Sequence, residues 1–243
     1  MVDFTQLAQV LDARADAGET VSFWLRDDDA ISETPELQRL ASWGQRAETD
    51  ILLAVIPSRA DETLAEYVHE KDLLVPCIHG WAHKNHAPPD EKKMELGAHR
   101  RLDEVLDELR TARARLDELF GGNVLDVLVP PWNRIAPDVV AELPALGFVG
   151  LSTFANQYEN KAATGFTIAN THIDVIDWKG TRGCREHEDI ATDLCREAAV
   201  RQHIGLLTHH LVHDESVWAF LDEVADFINT HTVARWMSPR KLF

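Results

Sequence analysis

The sequence predicts an α/β protein, a barrel of seven or eight parallel strand-and-helix units. Short apolar runs recur along the 243 residues, segments of helical composition separate them, and the polar residues able to do chemistry gather just after the runs. A run without alternation fits a strand covered on both faces, and strands alternating with helices imply a parallel sheet joined by right-handed crossovers. In a closed barrel of this kind the C-terminal strand ends open on one face, where active sites are built.

Taken in order, residues 21–25, 51–56, 73–78, 124–129, 148–151, 173–176 and 204–207 read as strands. Residues 33–46, 61–71, 137–146, 186–201 and 215–230 read as the helices between them. The clearest helix spans 90–120: Pro88 and Pro89 precede it, Asp90 can cap it, and Leu102, Val105, Leu106, Leu109, Leu116 and Leu119 form one apolar stripe before Gly121 and Gly122 end it. Residues 156–170, with Gly165 and several polar side chains, read as a long loop over the barrel mouth that shapes specificity. Without a linker, repeat or low-complexity stretch, residues 1–243 read as a single domain.

Composition narrows the function. With 24 Lys and Arg against 41 Asp and Glu, the net charge of −17 repels phosphate backbones and anionic membranes, so neither nucleic acid nor membrane is an expected partner. Hydrophobic residues at 45% and charged residues at 27% describe an ordinary globular chain. Cys77, Cys184 and Cys195 form no C-x-x-C pair, which argues against a thiolate metal site or a disulfide framework and for a reducing, cytoplasmic setting. Asp3, Asp12, Arg14, Asp16 and Glu19 interrupt any apolar signal segment at the N-terminus, so export is not expected.

The strand ends carry the chemistry: Arg26-Asp27-Asp28-Asp29, then His79-Gly80-Trp81-Ala82-His83, Pro130-Pro131-Trp132-Asn133-Arg134, Asp177-Trp178 and His209-His210. In a helical turn, histidines four apart share a face and can offer two nitrogens to a zinc-like cation, although such a pair equally serves to close the turn after a strand. Successive aspartates repel one another, and a bound cation would offset that repulsion. An acidic turn or helix cap is their bland explanation. Trp24, Trp81, Trp132 and Trp178 could floor a sugar site, while Trp43, Trp218 and Cys77 read as core. His86, His210 and His213 read as solvent-facing.

The ordered segments R-D-D-D-A, H-G-W-A-H, V-P-P-W-N, D-V-I-D-W and L-T-H, over about residues 21 to 213, resemble the motifs of the polysaccharide deacetylase (NodB-homology) family, carbohydrate esterase family 4. The resemblance implies a distorted seven- or eight-stranded β/α barrel that hydrolyses acetamides, commonly on N-acetylglucosamine, with a divalent metal. It implies Asp29, His79 and His83 as metal ligands, Asp28 as general base and His209 as general acid, with a one-residue shift to Asp27 and Asp28 left open. Asp177 and Trp178, or alternatively Asp174, would support His209, and the Trp132 N–H would face the oxyanion. Arg26, Trp81, Pro131, Arg134 and Trp178 would contact substrate. Zinc is the favoured metal, with cobalt, nickel, iron and manganese compatible with two nitrogens and a carboxylate. Two positions depart from the family pattern: Gly80 stands where Ser or Thr is usual, and Val129 where Arg is usual, leaving Arg26 or Arg134 to replace that cation.

The expected activity is therefore metal-dependent removal of an acetyl group from an amino sugar or related small amide. The rival readings are a barrel that binds sugar or metal without turnover, and a hydrolase of non-carbohydrate amides. The H-x-H pattern of amidohydrolase barrels is absent after the first strand.

Overall fold

The structure, a computed structural model, describes residues 2–159 and 163–243. In chain order its elements are α1 (Thr5–Asp16), β1 (Val21–Ala30), α2 (Pro35–Ala47), β2 (Ile51–Val55), α3 (Glu62–His69), β3 (Leu74–His79), α4 (Leu102–Phe120), β4 (Leu125–Val129), α5 (Pro137–Glu142), β5 (Gly150–Leu151), β6 (Thr167–Ile168), β7 (Thr171–Asp174), α6 (His187–Ala198), β8 (His203–Thr208), α7 (Glu215–Thr230), β9 (Ala234–Trp236) and α8 (Pro239–Leu242). Among the described residues no helix is long and apolar enough to cross a membrane.

By contacts the chain forms two compact units. The first takes the chain up to Asp27, Thr34–Ile51 and Thr171–Lys241. Its strands run in the order β7, β8, β1, β9, each pair parallel. Helix α1 packs on α6 and α2 on α7, burying Leu7, Leu11, Leu37, Leu40, Trp43, Leu194 and Phe220. The register pairs Arg26 with Leu207 and Asp27 with Thr208, which brings the polar end of β1 level with the end of β8.

The second unit takes Asp28–Glu33, Leu52–Asn170 and the last two residues. Its strands run in the order β2, β3, β4, β5, β6, and His79 at the end of β3 lies opposite Val129 at the end of β4. Strands β2 and β3 are buried along their whole length, the condition under which a strand reads as an unbroken apolar run. Helix α4 packs on β3 and buries Val105, Leu109, Ala112 and Leu116.

Several expectations are corrected. Helix α4 begins at Leu102, not at residue 90, and its N-cap position is Arg101, not Asp90. The preceding segment is held instead by Asn85, whose side chain accepts the N–H groups of Ala87 and Met94, and by a bridge between Leu96 and Ile135. Strand β1 runs five residues past the expected end at Leu25, carrying all three aspartates inside it. Residues 156–170 are not one loop: β6 pairs with β5, and the Asn170 amide oxygen accepts the N–H and hydroxyl of Thr153. The part of that segment at 160–162 lies outside the described residues.

Candidate active site

In the second unit the donor atoms of Asp29, His79 and His83 all lie within 4.8 Å of one another. His79 Nε2 stands 3.1 Å and His83 Nε2 3.3 Å from Asp29 Oδ1. His79 Nδ1 is 2.9 Å from the Val129 carbonyl, an acceptor only, so Nδ1 carries a proton and Nε2 is the nitrogen turned towards Asp29. A lone pair facing a carboxylate oxygen is repulsive unless a proton or a cation lies between them. Burial pushes His79 down, but the Asp29 hydrogen bond and the charges of Asp28 and Asp29 outweigh it and raise it above the ordinary histidine range. His83 is lowered by burial and by the neighbouring His79. Two nitrogens and a carboxylate so placed form a donor set that fits a divalent cation.

The convergence does not come from a helical turn, as the four-residue spacing suggested. His79 ends a strand, Gly80 turns the chain at φ 60°, and His83 itself sits at φ 54°. Asp29 at φ 77° and Trp132 and Asn133 at φ 55° and 57° share this left-handed backbone, which costs a non-glycine residue roughly 1–2 kcal/mol. Such residues persist where the surrounding structure over-determines them, commonly at functional sites. At Asp29 the twist breaks the strand's alternation and turns the carboxylate towards the histidines.

Asp28 is buried at 3% exposure. Trp132 lies in a short 3-10 turn after β4, with its ring 4.4 Å from that of His83, and Pro131 beside it is buried. Trp81 is partly exposed, and its carbonyl accepts the Ser58 N–H. Arg134 donates to the Lys93 carbonyl.

One residue that lies within the helix expected over 90–120 belongs to this site. Glu95, 1% exposed, accepts from the main-chain N–H groups of Trp81 at 3.1 Å, Ala82 at 2.8 Å and Lys84 at 3.1 Å. A Cβ at position 80 would fall 2.1 Å from Glu95 Oε2 and 2.6 Å from Pro131 Cδ, so glycine is what the space beside His79 admits.

The first unit holds a separate polar group. Asp27 is fully buried. Its Oδ2 accepts the Thr208 hydroxyl at 2.7 Å and the His210 N–H at 2.9 Å, and its Oδ1 stands 2.5 Å from His210 Nδ1. Burial pushes Asp27 up, but attraction to His210 prevails and holds it below the ordinary carboxylate range. This arrangement commits the Asp27 carboxylate to Thr208 and His210. His210 is therefore buried and paired, not solvent-facing. His213 is also turned inward: its Nε2 accepts the His209 N–H, its ring packs on Trp218, and burial lowers it to about 4.

His209 packs edge to face on Trp178 at 4.7 Å, and Trp178 Nε1 donates to Asp174 Oδ2 at 2.8 Å. Asp177 does not reach His209; its carboxylate accepts the N–H groups of Gly180 and Thr181 and shapes an exposed turn. The carboxylate oriented on Trp178 is Asp174. Arg26 and Trp24 are fully buried, which removes Trp24 from any sugar-stacking floor, whereas Trp178 is 40% exposed. Trp43, Trp218 and Cys77 are core, as expected. His86 is partly exposed and receives a hydrogen bond from Arg100.

No family model and no curated protein matches the sequence. Solved structures do match. A protein of Mycobacterium smegmatis assigned as a polysaccharide deacetylase aligns at TM-score 0.68 and 15% identity, covering 91% of this chain and 87% of that one. The peptidoglycan deacetylase PdaC of Bacillus subtilis aligns at TM-score 0.56 and 14% identity, covering 92% and 90%. A family 4 acetyl xylan esterase of Clostridium thermocellum, solved with a cobalt ion, aligns at TM-score 0.55 and 13% identity, covering 91% and 90%. The fold is thus the parallel α/β fold of polysaccharide deacetylases and family 4 carbohydrate esterases, consistent with the distorted (β/α)7–8 barrel expected from the motifs.

Proposed function

We propose that the protein is a metal-dependent hydrolase that removes an acetyl group from the nitrogen of an amino sugar or a related small amide. The observation that carries the reading is the convergence of Asp29, His79 and His83, with His79 Nδ1 committed to the Val129 carbonyl so that Nε2 faces the carboxylate. These residues would hold the cation, zinc by preference and cobalt, nickel, iron or manganese by the same donor chemistry. When bound it supplies Lewis-acid charge for the amide carbonyl and acidifies water towards a pKa of ~7.

The chain's own groups do the rest. Asp28, next to the ligand carboxylate and buried, is the base that takes the water proton. The Trp132 main-chain N–H, presented by a left-handed turn, is the oxyanion donor; a backbone donor does not depend on the side chain that replaces the family's usual aromatic residue. His209 is the acid for the departing amine, held by the Trp178 ring, which Asp174 fixes in turn. Arg26 or Arg134 stands in for the Arg missing at Val129. Trp81, Pro131 and Trp178 contact the substrate.

The whole chain acts as one domain on a small-molecule or carbohydrate substrate in the cytoplasm. The charge of −17 and three free cysteines support that setting and weigh against nucleic acid or membrane as partners. The test is acetate release from N-acetylglucosamine, its oligomers and simple acetamides, by chelated protein and by protein reloaded with zinc or cobalt. Turnover on reloading, greatest on the small sugars, is expected. Metal binding with no acetate from any substrate would point to the non-turnover reading.

A further inference from the structure

We propose that Glu95 is a positioning residue for the cation ligands, setting the geometry of His83 through the main chain. The inference rests on the reading of Asp29, His79 and His83 as a cation site and assigns its support to a residue outside the motifs.

Residues 80 to 84 carry the chain from one histidine to just past the other. One carboxylate grips three of their N–H groups, with Oε2 on Trp81 and Oε1 on both Ala82 and Lys84. Ala82 and Lys84 flank His83, so the main chain is pinned on both sides of a residue held at φ 54°. The carboxylate can lie there because Gly80 has no side chain: a Cβ would meet Oε2 at 2.1 Å. Glu95 is 1% exposed and its carboxylate accepts main-chain N–H groups, so a negative charge has been taken out of water to fix a turn. Groups that orient ligands in this way typically change metal affinity 10- to 100-fold when altered.

Glutamine in place of Glu95 keeps one oxygen for Ala82 and Lys84 but turns an NH2 donor against the Trp81 N–H. The experiment compares wild type and Glu95→Gln, full length, for zinc affinity by chelator competition, for the visible absorption of the cobalt form, and for the Tm of the metal-free chain. The expected result is zinc affinity weakened about tenfold or more and an altered cobalt spectrum in a folded variant. A purely structural role would lower the Tm and leave the affinity and spectrum of the folded protein unchanged, which would overturn the proposal. If Glu95→Gln does not fold, Glu95→Asp, which keeps the charge on a shorter arm, decides: weaker binding supports the proposal and unchanged binding overturns it. Failure of wild type itself to bind zinc or cobalt would refute the cation site, a result distinct from either.

Discussion

Three consecutive aspartates have three different environments. Asp27 is spent on Thr208 and His210, Asp28 is buried at the end of β1, and Asp29 is twisted to φ 77° to face two histidines. The sequence showed that acids cluster after the first strand but not which does what. Alternation places side chains only while the strand stays regular, and Asp29 breaks that regularity. His210 was misjudged for a related reason: its partner lies 183 residues away, and only the register of β1 against β8 brings them together. Asp27→Ala would leave His210 and a main-chain N–H buried without their acceptor. We expect a loss of roughly 3–5 kcal/mol in urea unfolding, as when one partner of a buried ion pair is removed. A change under 1 kcal/mol would show that the pair contributes little.

At the scale of elements, three helices start at a side-chain cap. Thr34 accepts the Leu37 N–H, Asp61 that of Leu64, and Asp214 those of Ser216 and Val217, and the corresponding helices begin within two residues of the sequence reading. Asp214→Ala is expected to destabilise the protein by ~0.5–2 kcal/mol in thermal or urea unfolding, the usual cost of a lost cap. An unchanged midpoint would mean that packing alone holds α7. The start of α4 was misread because residues 90–101 combine a proline entry and charges in a way that also suits a helix, while their true partners, Asn85, Ile135 and the 80–84 turn, are non-local. Glu95 was hidden by the same error, since an acid inside an expected helix draws no notice. The buried strands were legible throughout because a strand covered on both faces must be apolar along its length. The short strands β6 and β9, two and three residues long, carry too little pattern to find.

For the whole molecule, the strand and helix pattern predicted a fold shared with proteins at 12–16% identity, because burial periodicity outlasts sequence likeness. Two half-buried histidines weaken the molecule in acid. Burial, aided by Arg201, lowers His172 to about 4, and burial lowers His213 to about 4 against the opposing charge of Asp27. Both groups have depressed folded values, so the unfolded chain binds more protons between pH ~6.5 and ~4, and stability must fall as pH drops through that window. His172→Gln should shallow the fall by about one proton in the pH dependence of unfolding; an unchanged slope would show that His172 is not held neutral. The central claim, that Asp29, His79 and His83 hold a cation needed for amide hydrolysis, is tested most directly by measuring bound zinc and acetate release together in wild type and His79→Ala. The account predicts one zinc per wild-type chain with turnover, and loss of both in the variant; undiminished turnover in His79→Ala would contradict it.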